Sequence, residues 1–397
     1  MRRIAGLCDE SGIQCQTLPA VHDILNGNIS VSQIREIQIE DLLGRENIEL
    51  DAEKIREYLS GKKVMVTGAA GSIGQELCLQ ILKMSPKQLI LFERAENELF
   101  HLDLELTRAS FSGSYTPVLG DILDVKKIEW TMGKFSPDVV FHAAAYKHVP
   151  MMEIHPLEAV KNNIIGTKNM AEASVKYGVE KFVIISTDKA VKPANVMGAT
   201  KRITELICQR MNGRSRTKFV AVRFGNVLNS AGSVIPLFKS QIERGGPITV
   251  THPEVTRYFM SISEAVQLVM QAGAIGRGGE IFVLDMGEPI KIVDLAKDMV
   301  RLMGLRIDED IDIVYSGLRP GEKLHEKLVA EEENTEPTVH RSIMLVKSKP
   351  FDLMVLEEQL QSLLAEVETG NIVNIKEKLL RIINGPMEAN ARHEQFG

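Results

Sequence analysis

The sequence predicts an α/β fold, a doubly wound parallel sheet followed by a smaller C-terminal cap, and three observations carry that prediction. From Lys62 onward, short apolar runs over 63–67, 88–92, 116–119, 139–143, 181–186 and 219–224 alternate with mostly helical stretches. That is the pattern of parallel strands joined by crossover helices, with both sheet faces covered. The first run feeds a glycine-rich turn and then an amphipathic helix. After Asn226 the rhythm loosens into mixed short elements rich in Gly and Pro through Leu324, as in a cap built on the sheet's carboxyl edge. The 397 residues are 44% hydrophobic and 25% charged, ordinary globular proportions that exclude a collagen, a disordered tail or a coiled coil.

The elements follow in chain order. Residues 2–12 look helical, 13–18 extended, and 20–27 helical again, closed by Asn26-Gly27. This α-β-α fragment lacks the first strand it would pack against, so residues 1–59 read as the remnant of an upstream α/β domain plus a linker, with a natural N-terminal extension as the alternative. Asp51 is placed to cap a helix running through Leu59. The expected dinucleotide-binding domain spans 60–225, the cap mainly 226–345 with chain exchange between the two, and a helical tail 346–397.

In Thr67-Gly68-Ala69-Ala70-Gly71-Ser72-Ile73-Gly74 the spaced glycines allow a tight turn, close approach to a pyrophosphate, and close helix–strand packing. The N–H groups of Ala70, Ser72 and Ile73, at or near the start of the following helix, would then meet the phosphates. Strand, turn and helix together mark a Rossmann-type site. The second strand ends at Glu93, about 20 residues beyond the loop, where a carboxylate accepts from an adenosine ribose. That favours NAD, while Arg94 leaves NADP as the alternative. Asp121 and Ile122 follow the third strand, near an adenine. Ala143, Ala144 and Ala145 end the fourth strand with small side chains that let backbone approach the cofactor. His142 has no second ligand at metal spacing and reads as structural.

With 47 basic against 53 acidic residues, net −6, the chain lacks the basic footprint of a nucleic-acid binder, although a local basic pocket for an anionic small molecule stays open. Cys8, Cys15, Cys78 and Cys208 show no C-x-x-C pairing and read as reduced cytosolic thiols, with no metal site. No stretch approaches the roughly 18–20 apolar residues of a membrane span.

Gly68–Gly74 with Asp121, the run 142–150, Ser186-Thr187-Asp188-Lys189-Ala190, Met197-Gly198-Ala199-Thr200-Lys201 and Arg223-Phe224-Gly225-Asn226-Val227 together resemble the extended short-chain dehydrogenase/reductases. More closely, the chain resembles the nucleotide-sugar 4,6-dehydratases of bacterial polysaccharide and glycan biosynthesis, over about residues 60–345. The resemblance implies UDP-N-acetylglucosamine as substrate, tightly bound NAD with NADP as the alternative, a homo-oligomer, and a cytoplasmic chain. Long members of the family carry transmembrane helices and another α/β domain upstream, which fits residues 1–59 as a remnant of a membrane-anchored parent.

The resemblance also implies roles. Asp188 is the acid at C6, Lys189 the base at C5, and Thr187 the hydroxyl that bonds the C4 oxygen. Lys201 holds the nicotinamide ribose, and Asn97 joins the cofactor set. Lys147 and His148 lie on the loop after the fourth strand, Lys147 toward sugar or phosphate, and Asn163 braces the active-site backbone. Asn226, Arg257, Arg319 and Glu322 match positions near the diphosphate, the uridine, or the groups that order them. An arginine fork suits phosphate, and an Asp-Lys dipeptide taken alone is a solvated turn.

One departure stands out. The family's usual Tyr, four residues before the active-site Lys, is Met197, whose thioether accepts no proton near neutral pH. The i, i+4 spacing puts Met197 and Lys201 on one helix face, so both are expected at the site. Tyr146 is either a substitute base or a packing residue. The Met-bearing long branch is associated with retention at C5, which predicts the D-xylo 4-keto-6-deoxy product. A C5-inverting dehydratase, a sugar-nucleotide 4-epimerase and a non-enzymatic NAD(P)-sensing regulator are the competing readings.

Overall fold

The structure, a computed structural model, describes residues 51–347 except 112 and 214, residues 352–384, and the short pieces 16–17, 35–36 and 39–42. The helices expected over 2–12 and 20–27 lie outside the described residues, as do Cys8 and Cys15. Within the stretch expected as a strand, Gln16–Thr17 pairs antiparallel with Arg35–Glu36. The chain divides into a larger unit (48–225, 262–286, 319–397) and a smaller one (1–47, 226–261, 287–318).

The larger unit holds a nine-stranded sheet. Its strands are β1 (Lys63–Thr67), β2 (Gln88–Glu93), β3 (Tyr115–Leu119), β4 (Val139–His142) and β5 (Lys181–Ile185), then β6 (Lys218–Arg223), β7 (Ile281–Leu284), β8 (Asn334–Pro337) and β9 (Ile343–Lys347). Spatial order is 3-2-1-4-5-6-7-9-8. All neighbours from β3 to β7 are parallel, while β9 runs antiparallel to β7 and β8 antiparallel to β9. This is the Rossmann arrangement, extended on one side. The six strands read from the sequence are all present, with ends within one residue of expectation. β3 is the sheet edge, where Pro117 is tolerated. Between β1 and β4 the strand order reverses, so the carboxyl ends there open a crevice for a ligand.

Helices of this unit include α1 (Ala52–Leu59), α2 (Ser72–Lys83), α3 (Gly166–Lys176), α4 (Val196–Asn212), α5 (Ile262–Ile275), α6 (Leu353–Thr369) and α7 (Ile372–Asn384). Asp51 caps α1 as expected, its carboxylate accepting from the Lys54 N–H at 3.0 Å. The helix is no mere connector: Ile55 and Leu59 are fully buried, and α1 packs on α5. On the sheet, Met65, Ile90, Phe92, Val140, Phe182, Ile184, Phe219 and Val283 join Ile128 and Met132 in one core cluster. A second cluster forms where Leu356, Leu360, Leu363, Val367, Ile375, Leu379 and Ile382 of α6 and α7 cover α4. Each such side chain contributes about 1.5–3 kcal/mol by burial.

The smaller unit is built of short pairs. Asn226–Val227 runs parallel to Phe259–Met260, Ile248–Val250 parallel to Ile313–Tyr315, and Thr256–Arg257 antiparallel to Ile290–Lys291, beside helices Val234–Glu243 and Ile292–Leu302. The stretch 226–345, expected as mainly cap with chain exchange, is divided between the two units. Segment 262–286 falls in the larger one because α5 buries Ala265, Val266, Leu268, Val269 and Met270 while β7 joins the sheet. Segment 319–345 falls there too, with β8 and much of β9. Among the described residues no helix is long and apolar enough to cross a membrane.

Candidate active site

The turn between β1 and α2 is built around its glycines. Gly68 has φ +64°, and a Cβ on it would meet the Ala144 nitrogen at 2.7 Å. A Cβ on Gly74 would meet the Gly68 oxygen at 2.0 Å, so α2 sits directly on the turn. Gly71, just before Ser72 and Ile73, has an ordinary φ of −73°, and the nearest atom to an added Cβ is 3.4 Å away. The space above Gly71 is a cradle that a side chain would fill, at a helix N-terminus suited to phosphate. These residues fit a dinucleotide.

Glu93, buried at the end of β2, accepts from the N–H groups of Ala70 (3.2 Å), Arg94 (2.9 Å) and Ala95 (3.0 Å). It ties the turn to β2, and the Ala70 N–H is thereby used within the protein. Arg94 donates to the Tyr146 hydroxyl at 2.5 Å, lies over the Tyr146 ring at 4.6 Å, and comes within 3.8 Å of Asp121. Tyr146 thus spends its hydroxyl and one ring face on Arg94. Asn97 is exposed in the first turn of helix Glu96–Arg108. Ile122 is buried against Gly166, a packing position. Ala143, Ala144 and Ala145 are half-buried beyond β4, with the Ala143 N–H on the Thr67 carbonyl at 3.1 Å.

His142 sits between the hydroxyls of Thr67 (2.7 Å) and Thr167 (2.9 Å). Burial, with a contribution from the Lys201 charge, pushes its pKa down to about 3, so it stays neutral. Among the described residues no group of three or more His, Cys, Asp or Glu is arranged to hold a metal.

Beyond β5 the chain turns through one short 3-10 turn, Asp188–Ala190, capped by Thr187. The Asp188 N–H reaches the Phe224 carbonyl at 3.0 Å, pinning the turn to the end of β6. Asp188 is 1% exposed. One carboxylate oxygen, Oδ1, accepts from the Thr187 hydroxyl and from Lys189 Nζ, each at 2.9 Å. Its Oδ2 is buried with no hydrogen-bond partner. A buried acceptor left open is costly unless a ligand or water completes it.

Lys201 of α4 is buried, and burial lowers its pKa to about 8, with Glu205 partly offsetting the shift. Met197, four residues earlier on the same helix, is buried at 3% exposure in an apolar cluster with side chains of α6 and α7. Asn163, within a widened helical turn (Val160–Ile165), donates to the Thr200 hydroxyl and the Tyr146 carbonyl, each at 3.0 Å, and accepts from the Tyr146 N–H at 2.8 Å. It therefore clamps the β4 loop to α4. On that loop, Lys147 has its pKa lowered by burial, and His148 by burial and the Lys147 charge. Arg319 is exposed, its N–H bonded to Glu322 at 3.2 Å, which closes the turn between Gly317 (φ +84°) and Gly321 (φ +74°). In the smaller unit, Arg257 is buried and donates to the Thr256 carbonyl at 2.7 Å, and the Asn226 N–H donates to the Tyr258 carbonyl at 3.0 Å.

Sequence reasoning missed the support beneath the Asp188 turn. Glu205 accepts from the Ser186 hydroxyl (2.6 Å), Arg202 (2.9 Å) and both Nε and Nη2 of Arg223 (2.8 Å each). Burial would raise the Glu205 pKa, but the Arg223 guanidinium overcomes it and holds the carboxyl at about 2. Arg223 also pairs with Glu333 at 2.8 Å. The available signals were an arginine closing an apolar strand and a glutamate four residues after Lys201.

Comparison with known proteins shows the family and the fold. A family model described as "Polysaccharide biosynthesis protein" matches residues 64–348. The capsular polysaccharide biosynthesis protein CapD of Staphylococcus aureus is 48% identical over 386 residues, 97% of this chain and 63% of CapD. The probable polysaccharide biosynthesis protein EpsC of Bacillus subtilis is 51% identical over 350 residues, 88% of this chain and 58% of EpsC. The chain thus spans about three-fifths of these two relatives. A UDP-glucose 4-epimerase of Rickettsia canadensis is 36% identical over 68% of this chain and 79% of its own. Among solved structures, Pen from Bacillus thuringiensis superposes with a TM-score of 0.68 at 35% identity, covering 74% of this chain and 90% of Pen.

Proposed function

The chain belongs to the polysaccharide biosynthesis protein family, and we propose that it is a UDP-N-acetylglucosamine 4,6-dehydratase that retains configuration at C5. The observation that carries this reading is the buried Asp188 with its open Oδ2, beside Lys189 at the carboxyl end of β5. Elimination of water across C5–C6 needs an acid and a base side by side, and this pair supplies both.

The turn 68–74, Glu93 and Lys201 would hold NAD, with NADP as the alternative. When bound, that cofactor supplies reversible hydride acceptance, from sugar C4 and back to sugar C6. Thr187 bonds the C4 oxygen and relays the C4 hydroxyl proton to the Asp188 carboxylate, on which its own hydroxyl is hydrogen-bonded at 2.9 Å, while the Lys201 ammonium provides a positive field near C4. Lys189 removes the C5 proton made acidic by the C4 ketone. Asp188 delivers a proton to the C6 oxygen, which leaves as water. Lys189 then returns a proton to the same face of C5. The sum is loss of one water with no net redox, so turnover needs no added reductant. Within the larger unit, Arg319 and Glu322 are assigned to the UDP end, with Lys147 and His148 near the sugar.

The epimerase reading has a specific observation behind it, the Rickettsia relative. Against it stands the acid–base pair, for which epimerisation at C4 has no use. Reaction of the chain with UDP-N-acetylglucosamine in D₂O separates the readings. The D-xylo 4-keto-6-deoxy sugar nucleotide with deuterium at C5 is the expected product. An L-arabino product formed first would favour C5 inversion, and a C4 epimer without water loss would favour the epimerase.

A further inference from the structure

We propose that Glu153 and Lys376 are positioning residues, a strap by which the C-terminal helix α7 sets the position of the Asp188–Lys189 turn. This rests on the reading above, in which that turn carries the elimination. The strap lies partly outside the family-matched segment, which ends at residue 348.

The contacts form a short chain. Glu153 follows β4 on helix Val149–Ile154, and its side chain is 9% exposed. Its Oε1 accepts from the Val196 N–H at 2.6 Å, at the first residue of α4. Its Oε2 accepts from Lys376 Nζ of α7 at 3.0 Å. A carboxylate at this point satisfies an N–H that the helix itself leaves open, and it complements the positive helix end. Two residues further along, Gly198 touches the catalytic turn. A Cβ there would lie 2.2 Å from the Lys189 carbonyl oxygen, so the α4 backbone rests directly on Lys189. Asn195 completes the junction, accepting from the Gly198 N–H at 2.7 Å and donating to the Gly321 carbonyl at 3.0 Å.

The first turn of α4 is therefore held from several sides. Glu153 and Asn195 hold its N–H groups, Asn163 holds Thr200, and its glycine face is pressed on Lys189. Lys376 is the one charged link from α7 to this junction among the described contacts. Without it, Glu153 keeps a largely buried charge with no cation beside it and can turn away from Val196. A shift of α4 is then passed to Lys189 through Gly198. Displacement of a catalytic group by a fraction of an ångström to 1 Å lowers turnover by about 10- to 100-fold without weakening substrate binding.

The test compares the full chain as wild type, Lys376→Arg, Lys376→Met and Glu153→Gln. Three measurements are made: steady-state kinetics with UDP-N-acetylglucosamine, amide hydrogen exchange over 196–201, and thermal unfolding. Lys376→Met and Glu153→Gln should lower kcat about 10-fold, leave KM within about twofold, and speed exchange over 196–201 with little change in Tm. Lys376→Arg should restore both kcat and protection. Wild-type kcat in Lys376→Met would overturn the strap. So would parallel losses of kcat, KM and Tm that Arg does not rescue, since those indicate general structural damage. If the wild type forms no 4-keto product, the functional reading fails on its own. The strap is then judged by exchange alone, with faster exchange over 196–201 supporting it and unchanged exchange overturning it.

Discussion

Replacing Lys189 by Ala is expected to lower formation of the 4-keto-6-deoxy product by at least about 10³-fold while UDP-sugar binding stays within about twofold. Lys189 Nζ lies 2.9 Å from Asp188 Oδ1, and its side chain is mostly buried at 16% exposure. The base acts only after C4 is oxidised, so its loss leaves the earlier binding contacts intact. Asp188→Asn should lower turnover by a similar factor. The amide keeps the shape and can still accept from Thr187, but it has no carboxyl proton to give to the departing C6 oxygen. Steady-state kinetics paired with calorimetric titration of UDP-N-acetylglucosamine into the cofactor-free chain reads both quantities. Near-normal turnover in both variants would remove the pair from the chemistry.

Arg223→Met is expected to have the largest effect on stability. Arg223 is fully buried between Glu205, at 0% side-chain exposure, and Glu333, at 7%. Removing the guanidinium leaves two buried carboxylates without their common cation, which costs about 3–5 kcal/mol. The Glu205 carboxyl, held at about 2 against the opposing effect of burial, would lose its main support and take up a proton more readily. The variant should therefore unfold at lower urea, with a deficit that narrows as pH falls and the carboxylates are neutralised. Urea unfolding near neutral and mildly acid pH measures this, and an unchanged midpoint would contradict it. Because Ser186 hangs from Glu205 two residues before Asp188, turnover should fall with stability.

The parts of this design legible in the sequence are those with a local cause. Runs such as 63–67 and 181–185 are apolar and bounded by turns, and Gly68 and Gly74 announce a backbone that admits no side chain. Strand β7, Ile-Phe-Val-Leu, was lost in a glycine-rich stretch because four apolar residues carry no period to separate a strand from a buried helix. Its partner hairpin was hidden for a different reason: β8 is exposed and polar, and it exists because β9 is there to pair with. Asp188 and Lys189 could be singled out only through the motifs around them. Their setting was beyond local reading, since Glu205, Arg223 and Glu333 meet across 18 and 110 residues of chain. Helix spacing puts Met197 on one face with Lys201, but its burial in the cluster that includes α6 and α7 has no local signal.

The central claim is that one hydrogen leaves sugar C4 and returns to C6 within a single cycle while water is lost. UDP-N-acetylglucosamine carrying deuterium at C4 tests it most directly, with product analysed by proton NMR and mass spectrometry. Deuterium at C6 of a 4-keto product 18 mass units lighter than the substrate is what the account predicts, the difference being roughly that of one water. Deuterium retained at C4 of a product of unchanged mass, or lost altogether to solvent, would contradict it.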